Sequence, residues 1–347
     1  MKAAIYDPYF DTLGGGEKYT LSVCSHFLKK GYEVDLIFSQ PINVQEIKKR
    51  FNLPIDKLNF IKLDINSLSI FSKYKLLRQY DYYFHVSDGS VPLPFAAKNY
   101  VHFQVPFNKV KVSLISKFKI KLFDGVIVNS KFTKKFIDKS YSINSTVLYP
   151  PVSIFKESKK NNIILSIGRF DAELNSKRQD ILIDAFKNLS KSYKFIKLIL
   201  VGGISKTGKS QLEKLKKQSN GYQVIFYPNL NYAELSKLIS KSKIYWHATG
   251  FGSDITNPEY FEHFGISILE AASAGCVPVV YNGGGPKEFI IENKNGLFFS
   301  STEELSAKTK NLLNDQNKLK SMSKKAKETA INYSLKNFYN NAEKVFV

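Results

Sequence analysis

The sequence predicts an α/β fold built from two domains, and three observations carry that expectation. Short apolar strand-like runs alternate with segments of helical spacing along the chain. The alternation is interrupted at Tyr149, Pro150, Pro151 and Val152, where neither proline can join a sheet interior, and it restarts at Asn162. At 347 residues the chain is long enough to give each half its own core.

In the first half, residues 2–7 (KAAIYD) read as a buried opening strand. The glycine turn 12–16 (TLGGG) and a helix over 17–30 follow, with Gly31 as the stop. Gly15 and Gly16, between a first strand and a first helix, permit close approach of backbone to a ligand, and equally a tight turn without one. The run lacks the G-x-G-x-x-G spacing, so a dinucleotide fingerprint is not supported. A second strand is expected at 33–38. A strand at 80–86 delivers Ser87, Asp88, Gly89 and Ser90 at its C-terminal end, where open α/β sheets place ligand contacts. His102 lies on a strand at 99–103, a position that suits a core histidine as well as a functional one. Residues 108–123 read as a helix with Val110, Leu114, Ile115 and Phe118 near one face, five lysines elsewhere and no acid. A helix lying on an anionic membrane surface has this pattern. So does a helix that packs its apolar face on the sheet. Leu76, Leu77 and Arg78, after Lys73 and Lys75, would extend such a surface. A strand at 124–129, a helix capped by Ser130 and a strand at 146–148 complete the half.

The second half opens with a strand at 162–167 running into Gly168, Arg169 and Phe170, and Lys177 is expected to open the next helix. Two cations at a strand end beside a helix N-terminus suit a diphosphate, since Arg binds oxygens in pairs and Lys acts as a point charge. Ordinary surface cations would look the same. Strands at 195–201, 222–227 and 244–247 alternate with helices, and the last runs into the stretch that organises the chain, 246–290. There a helix is expected over 264–274, Gly275 ends it, 277–280 is a strand, and Gly283, Gly284, Gly285 and Pro286 make a turn. Glu262 and Glu270 are separated by seven residues: Glu262 precedes that helix, and Glu270 lies inside it on the same side, about two turns further on. Two such acids can hold two parts of a polyhydroxylated ligand, and the unpaired amides at the helix mouth suit phosphate. Alternatively, Glu262 answers the helix dipole and Glu270 is solvated. From Thr302 onward the chain is helical and polar.

Composition narrows the class. No apolar run approaches the roughly 18 residues of a membrane span, and the N-terminus turns polar too early for a signal peptide. Cys24 and Cys276 suggest neither a disulfide framework nor a zinc site, so a cytoplasmic location is expected. The net charge of +21 predicts attraction to polyanions, although the Lys-, Asn- and Ile-rich composition of an AT-rich genome accounts for much of it. A nucleic-acid-binding protein is the reading charge alone suggests. No recognisable binding module is present, and aromatics are not interleaved with the lysines.

The string E-H-F-G-I-S-I-L-E at 262–270 resembles the E-x7-E signature of family 4 retaining glycosyltransferases, which use nucleotide sugars and have the GT-B fold. The wider string WHATGFG…PE…EHFGI…LEA…AG…VPV…GGP is similar to a bacterial branch of that family, and its EHFGI and GGP pieces look like dolichol-pathway mannosyltransferases. DGVIVNSKFTKKFI also matches the family pattern. The resemblance implies two facing Rossmann-like domains, 1–150 on the acceptor side and 151–330 on the donor side, around a cleft. A C-terminal helix within 331–347 would cross back onto the first domain. It implies that Arg169 and Lys177, with Gly15 and Gly16, bind the donor diphosphate, Arg178 standing in if Lys177 is misaligned. Glu262 with Gly265 and Ile266 would contact the donor sugar, Glu270 the ribose, and Gly283, Gly284 and Gly285 would let the chain pass close to the donor. His102 would act with Glu262 in catalysis from the other domain, although its spacing to Pro106 is longer than usual in the family.

The implied function is transfer of a hexose, mannose or glucose in type, from a UDP- or GDP-linked donor to a glycan or lipid-linked acceptor, without a further cofactor. No D-x-D stands in a plausible strand-end loop, so metal independence is expected, with no metal ligands. Two-carboxylate double displacement needs a nucleophile on the sugar's other face, and no residue is an evident candidate. Same-face attack assisted by the departing phosphate is the implied route. A nucleotide-sugar epimerase or a phosphorylase of the same fold is the alternative enzyme, and an anionic membrane surface meeting 108–123 is the further partner expected, placing the protein at the cytoplasmic membrane face.

Overall fold

In the computed structural model, which describes residues 1–10, 14–107, 112–170, 177–204 and 208–347, the chain divides into two units. One comprises Met1–Pro151 with Leu335–Val347, the other Val152–Ser334. The first unit runs β1 (Lys2–Tyr6), α1 (Gly15–Lys29), β2 (Glu33–Phe38), α2 (Val44–Phe51), β3 (Asn59–Lys62), α3 (Ile70–Leu77), β4 (Tyr82–Val86), β5 (Lys98–Phe103), α4 (Leu114–Ile120), β6 (Gly125–Val128), α5 (Lys131–Tyr141) and β7 (Thr146–Val147). All pairs are parallel, in the order β3-β2-β1-β4-β5-β6-β7. Strands such as AAIY and LIF are apolar along their length because helices cover both faces of a parallel sheet. Polar residues cap the starts of these helices, at Ser130 where one was expected. Asn43 accepts from Gln45 N and Glu46 N, and Ser69, Ser113 and Ser130 each accept from the amide three residues on.

The two faces of this sheet carry different cores. Ala3 and Ile5 of β1 face α1 and α2, whereas Ala4 and Tyr6 pack with Leu77 of α3. The helix expected over 108–123 forms only from Leu114 to Ile120, and it ends with Ile120 and Phe123 turned into the sheet. Residues 108–111, like 12 and 13 of the glycine turn, lie outside the described residues.

The second unit runs β8 (Ile163–Ile167), α6 (Gln179–Ser190), β9 (Lys197–Gly202), α7 (Gly208–Gln218), β10 (Val224–Pro228), α8 (Tyr232–Lys241), β11 (Ile244–His247), α9 (Ile266–Ser273), β12 (Val277–Tyr281), β13 (Leu297–Phe299), α10 (Thr302–Asn314) and α11 (Gln316–Ile331). Its strand order is β10-β9-β8-β11-β12-β13. The direction of winding reverses between β8 and β11, and ligands of open α/β sheets bind at the carboxyl ends of such a strand pair. Trp246, fully buried in β11, donates its indole N–H to Thr309 Oγ1 at 3.0 Å, which ties α10 to the sheet.

A last helix, α12 (Leu335–Val345), returns to the first unit and lies on α1. Phe338, Tyr339, Ala342 and Phe346 join that unit's core, and Tyr339 and Ser25 share a buried hydroxyl–hydroxyl hydrogen bond of 2.5 Å. Each large apolar side chain buried this way contributes about 1.5–3 kcal/mol. Cys24 and Cys276 are both buried and free.

Three buried histidines of the first unit are held neutral. Burial pulls the imidazoles of His26 and His85 down to about 4 and that of His102 down to about 3. The unfolded chain therefore binds more protons than the native one as pH falls below about 6.5. Stability present above that pH is lost toward pH 4, at up to about 1.4 kcal/mol per pH unit for each histidine. The melting temperature is expected to fall steadily from pH 7 to pH 5; a flat profile over that range would contradict the neutral burial of these rings.

Candidate functional site

The carboxyl ends of β8 and β11, on either side of the winding reversal, hold the densest group of the expected residues. β8 ends at Ile167 and delivers Gly168 and Arg169, while β11 ends at His247. The Arg169 side chain is exposed and forms no ion pair among the described residues. The loop behind it is anchored by Gln179, a buried residue at the start of α6 that donates to Gly168 O at 3.2 Å and to Arg169 O at 2.9 Å.

Lys177 does not open α6 as expected. Arg178 adopts a left-handed backbone (φ 47°), and the helix begins at Gln179. Arg178 is itself engaged, forking Asp180 and donating to Phe251 O. The Lys177 stem instead lies across Gly168, where an added Cβ would come within 2.4 Å of Lys177 Cγ. This path brings Lys177 Nζ to 2.8 Å from Glu262 Oε2. On the same oxygen, His247 Nε2 sits at 2.9 Å. Burial lowers the His247 ring below its ordinary value, so the neutral ring donates its Nε2–H rather than forming an ion pair. Burial alone would push the Glu262 carboxyl up; the Lys177 ammonium and the His247 hydrogen bond overcome it and hold the carboxyl well below the usual carboxylate range. Glu262 is thus ionised inside the fold. His247 was not among the expected site residues. Its signal, a lone polar residue ending an apolar strand of the reversal pair, is present but slight.

Glu262 precedes the helix that holds Glu270, as expected, but that helix starts later than residue 264. α9 starts only at Ile266, because Gly265 takes φ +113°, a conformation closed to most L residues. The segment holding Glu262 is therefore outside the helical register, and local contacts fix it. Glu270, half-buried within α9, accepts from Ser153 N at 3.2 Å. Tyr245 bridges the two sides of the site, its hydroxyl donating to Ser267 Oγ at 2.8 Å and lying 3.2 Å from Ile167 O.

The triple glycine serves a different close approach from the one expected. Gly285 N donates to Glu262 O at 2.7 Å. An added Cβ at Gly284 would stand 2.3 Å from Glu262 O, and at Gly285 2.1 Å from His263 O. The space that Gly284 and Gly285 leave open is filled by the backbone of the Glu262 segment. Gly283 is likewise closed in, by the rings of Phe261 and Tyr281.

In the first unit, Gly15 and Gly16 are the first two residues of α1, and Gly14 N donates to Glu17 at 2.7 Å. An added Cβ at Gly16 would meet Gln104 Oε1 at 2.5 Å. His102 is fully buried beneath α1, stacked on Tyr19 with centroids 4.3 Å apart, and its Nδ1 pairs with Ile127 O at 3.1 Å. Its Nε2 is buried without a hydrogen-bond partner among the described residues.

Comparisons with known proteins bear on the whole arrangement. The family model described as "Glycosyl transferases group 1" matches residues 153–329. The chain is 29% identical over 238 residues to the GDP-Man:Man(3)GlcNAc(2)-PP-Dol alpha-1,2-mannosyltransferase of Dictyostelium discoideum, covering 62% of this chain and 45% of that protein. To the human protein of that name it is 28% identical over 210 residues, covering 54% and 40%. These matches thus span less than half the length of the curated relatives. Among solved structures, HepE of Anabaena in complex with UDP and glucose aligns with TM-score 0.73 at 16% identity, covering 100% of this chain and 99% of that one. Sucrose-phosphate synthase of Thermosynechococcus elongatus gives 0.75 at 15%, covering 100% and 98%. The two-sheet α/β architecture is that of these GT-B structures.

Gly285→Ala, which drives a methyl into the His263 carbonyl, is expected to cost about 1–3 kcal/mol in chemical denaturation. Gly203→Ala, where the added methyl meets nothing nearer than 3.8 Å, should stay within about 0.5 kcal/mol. Equal stabilities for the two variants would refute the packing role of the triple glycine.

Proposed function

The chain belongs to the glycosyl transferases group 1 family, and on that premise we propose that it is a retaining, metal-independent mannosyltransferase of family 4 type. The donor is GDP-mannose and the acceptor a glycan or lipid-linked glycan. The observation that carries the reading is the ionised Glu262, held by Lys177 beside the exposed Arg169 at the winding reversal of the second sheet. The similarity to GDP-Man-dependent mannosyltransferases favours this donor over UDP-hexoses. It also favours transfer over epimerisation.

In the reaction, the bond between the sugar C1 and the β-phosphate oxygen breaks while the acceptor hydroxyl oxygen bonds to C1 on the same face. The hydroxyl proton passes to the departing phosphate, and the nucleoside diphosphate leaves with the bonding pair. Negative charge therefore grows on the diphosphate. Arg169 meets it with a planar fork of donors, and Lys177 with the N–H groups not given to Glu262. Fixed cations of this kind do the electrostatic work that a metal ion does elsewhere. Lys177 and His247 both bond Glu262 Oε2, so Oε1 is the oxygen offered to a sugar hydroxyl, next to Gly265 and Ile266 at the mouth of α9. Glu270 is assigned to the ribose hydroxyls.

Thermal unfolding with GDP, UDP and ADP, each with and without EDTA, tests the donor site. GDP is expected to raise the melting temperature irrespective of EDTA. Stabilisation by UDP alone would replace the donor, EDTA sensitivity would remove metal independence, and silence from all three nucleotides would overturn the site. Arg169→Ala and Glu262→Gln are each expected to lower transfer at least about a hundredfold. Glu262→Gln removes the charge that offsets Lys177 and is expected to lower the melting temperature, whereas Arg169→Ala, at an exposed side chain, should melt within a few degrees of the parent chain. Near-normal turnover in either variant would refute these assignments.

A further inference from the structure

Two helices of the first unit turn their apolar faces outward. In α4, Leu114, Ile115 and Phe118 follow the i, i+1, i+4 spacing of a single face, and they are 84%, 67% and 66% exposed. Leu122, just beyond, continues the row in the open. In α3, Ile70, Phe71 and Tyr74 repeat that spacing and are exposed as well. An amphipathic helix of a water-soluble surface does the opposite. Both helices still dock on the sheet through other residues, Leu77 in α3 and Ile120 in α4, so neither is simply detached.

The sheet register places the two helices on one face. Leu77 packs with Tyr83 of β4, and Ile120 with Val101 and Phe103 of β5. Val101 is paired with His85, which points to the same side as Tyr83, two residues before it. α3 and α4 therefore cover the same side, opposite α1 and α12. Cations accompany the exposed apolar groups: Lys75 on α3 and Arg78 just after it are exposed, as is Lys121 just after α4, and Lys117 and Lys119 on α4 are half-buried. From 65 to 80 and from 112 to 123 the sequence contains no acidic residue. No helix among the described residues is long and apolar enough to cross a membrane.

We infer that this face, formed by α3 and α4, docks on the surface of an anionic lipid bilayer. The exposed aliphatic and aromatic tips enter the boundary between headgroups and chains, and the cations meet lipid phosphates from their long stems. Charge selects the occupant. A lysine-rich rim without carboxylates complements an anionic bilayer and repels a second copy of a chain carrying a net charge of +21. The inference goes beyond the transfer reaction and does not depend on it.

The test is flotation of the full chain with vesicles of phosphatidylglycerol and phosphatidylcholine, against vesicles of phosphatidylcholine alone. The chain is expected to float with the anionic vesicles only, and less as salt is raised. Each cation near an anionic surface strengthens binding about fivefold. Lys117→Gln, Lys119→Gln and Lys121→Gln together should therefore weaken flotation about a hundredfold. Phe71→Ser, Leu114→Ser and Phe118→Ser together should weaken it at least about tenfold. Both triple variants should keep the parent melting temperature and its shift with GDP. Unchanged flotation in both variants, or no flotation of the parent, overturns the inference. So does self-association of the parent that the serine variant abolishes, which would assign the face to a second copy. Loss of the GDP response with flotation intact would count against the proposed donor site alone.

Discussion

A carboxylate that stays charged inside the fold sets the terms for everything around it. Glu262 is ionised only because Lys177 and His247 both reach its Oε2, and each arrives from a different part of the second sheet. Lys177 comes from the approach to α6, His247 from the end of β11, and Glu262 from the approach to α9. One charge thus clamps together the two sides of the winding reversal. A buried ion pair pays for desolvation, and its loss on one side strands the partner at a cost of about 3–5 kcal/mol. The surrounding residues are shaped to that end. Gly168 clears a path for the lysine stem, Gly284 and Gly285 admit the Glu262 backbone, and the Gly285 amide holds its carbonyl. The Glu262 segment is thus held in place by contacts within the second unit.

Much of the fold was legible because a parallel α/β sheet writes itself plainly: apolar runs, a polar or glycine stop, then helical spacing. The second strand falls at residues 33–38 as expected, the helix capped by Ser130 starts where that cap places it, and the helical stretch expected from Thr302 begins there, capped by Ser301. What escaped were positions where backbone conformation, not side-chain pattern, decides. Arg178 and Gly265 both take positive φ, and each delays a helix that periodicity alone would start earlier. The order of Glu262 before the helix and Glu270 within it was therefore visible, while the first residue of the helix was not.

Periodicity also does not say which side of a helix is inside. The apolar row of α4 reads equally as a core stripe or an outer one, and only the placement of Ile120 and Phe123 in the sheet settles that Leu114, Ile115 and Phe118 are outside. The histidines illustrate the converse. His102 carried the expected role yet sits in the layer beneath α1, while His247, which looked like a strand residue, holds the central carboxylate. Both lie near strand ends; what separates them is which elements pack above, a tertiary fact beyond the reach of local sequence.

The return of α12 has a consequence for how the chain acquires its structure. Phe338, Tyr339, Ala342 and Phe346 belong to the core of the first unit, but the whole of Val152–Ser334 is encoded between them and the rest of that core. The second unit is topologically an insertion, contiguous and self-sufficient in its contacts. The core of the first unit is therefore incomplete until the last helix of the chain has been made. Until α12 is made, the faces of Tyr19 and Phe27 that it will cover stand open to solvent or to a chaperone.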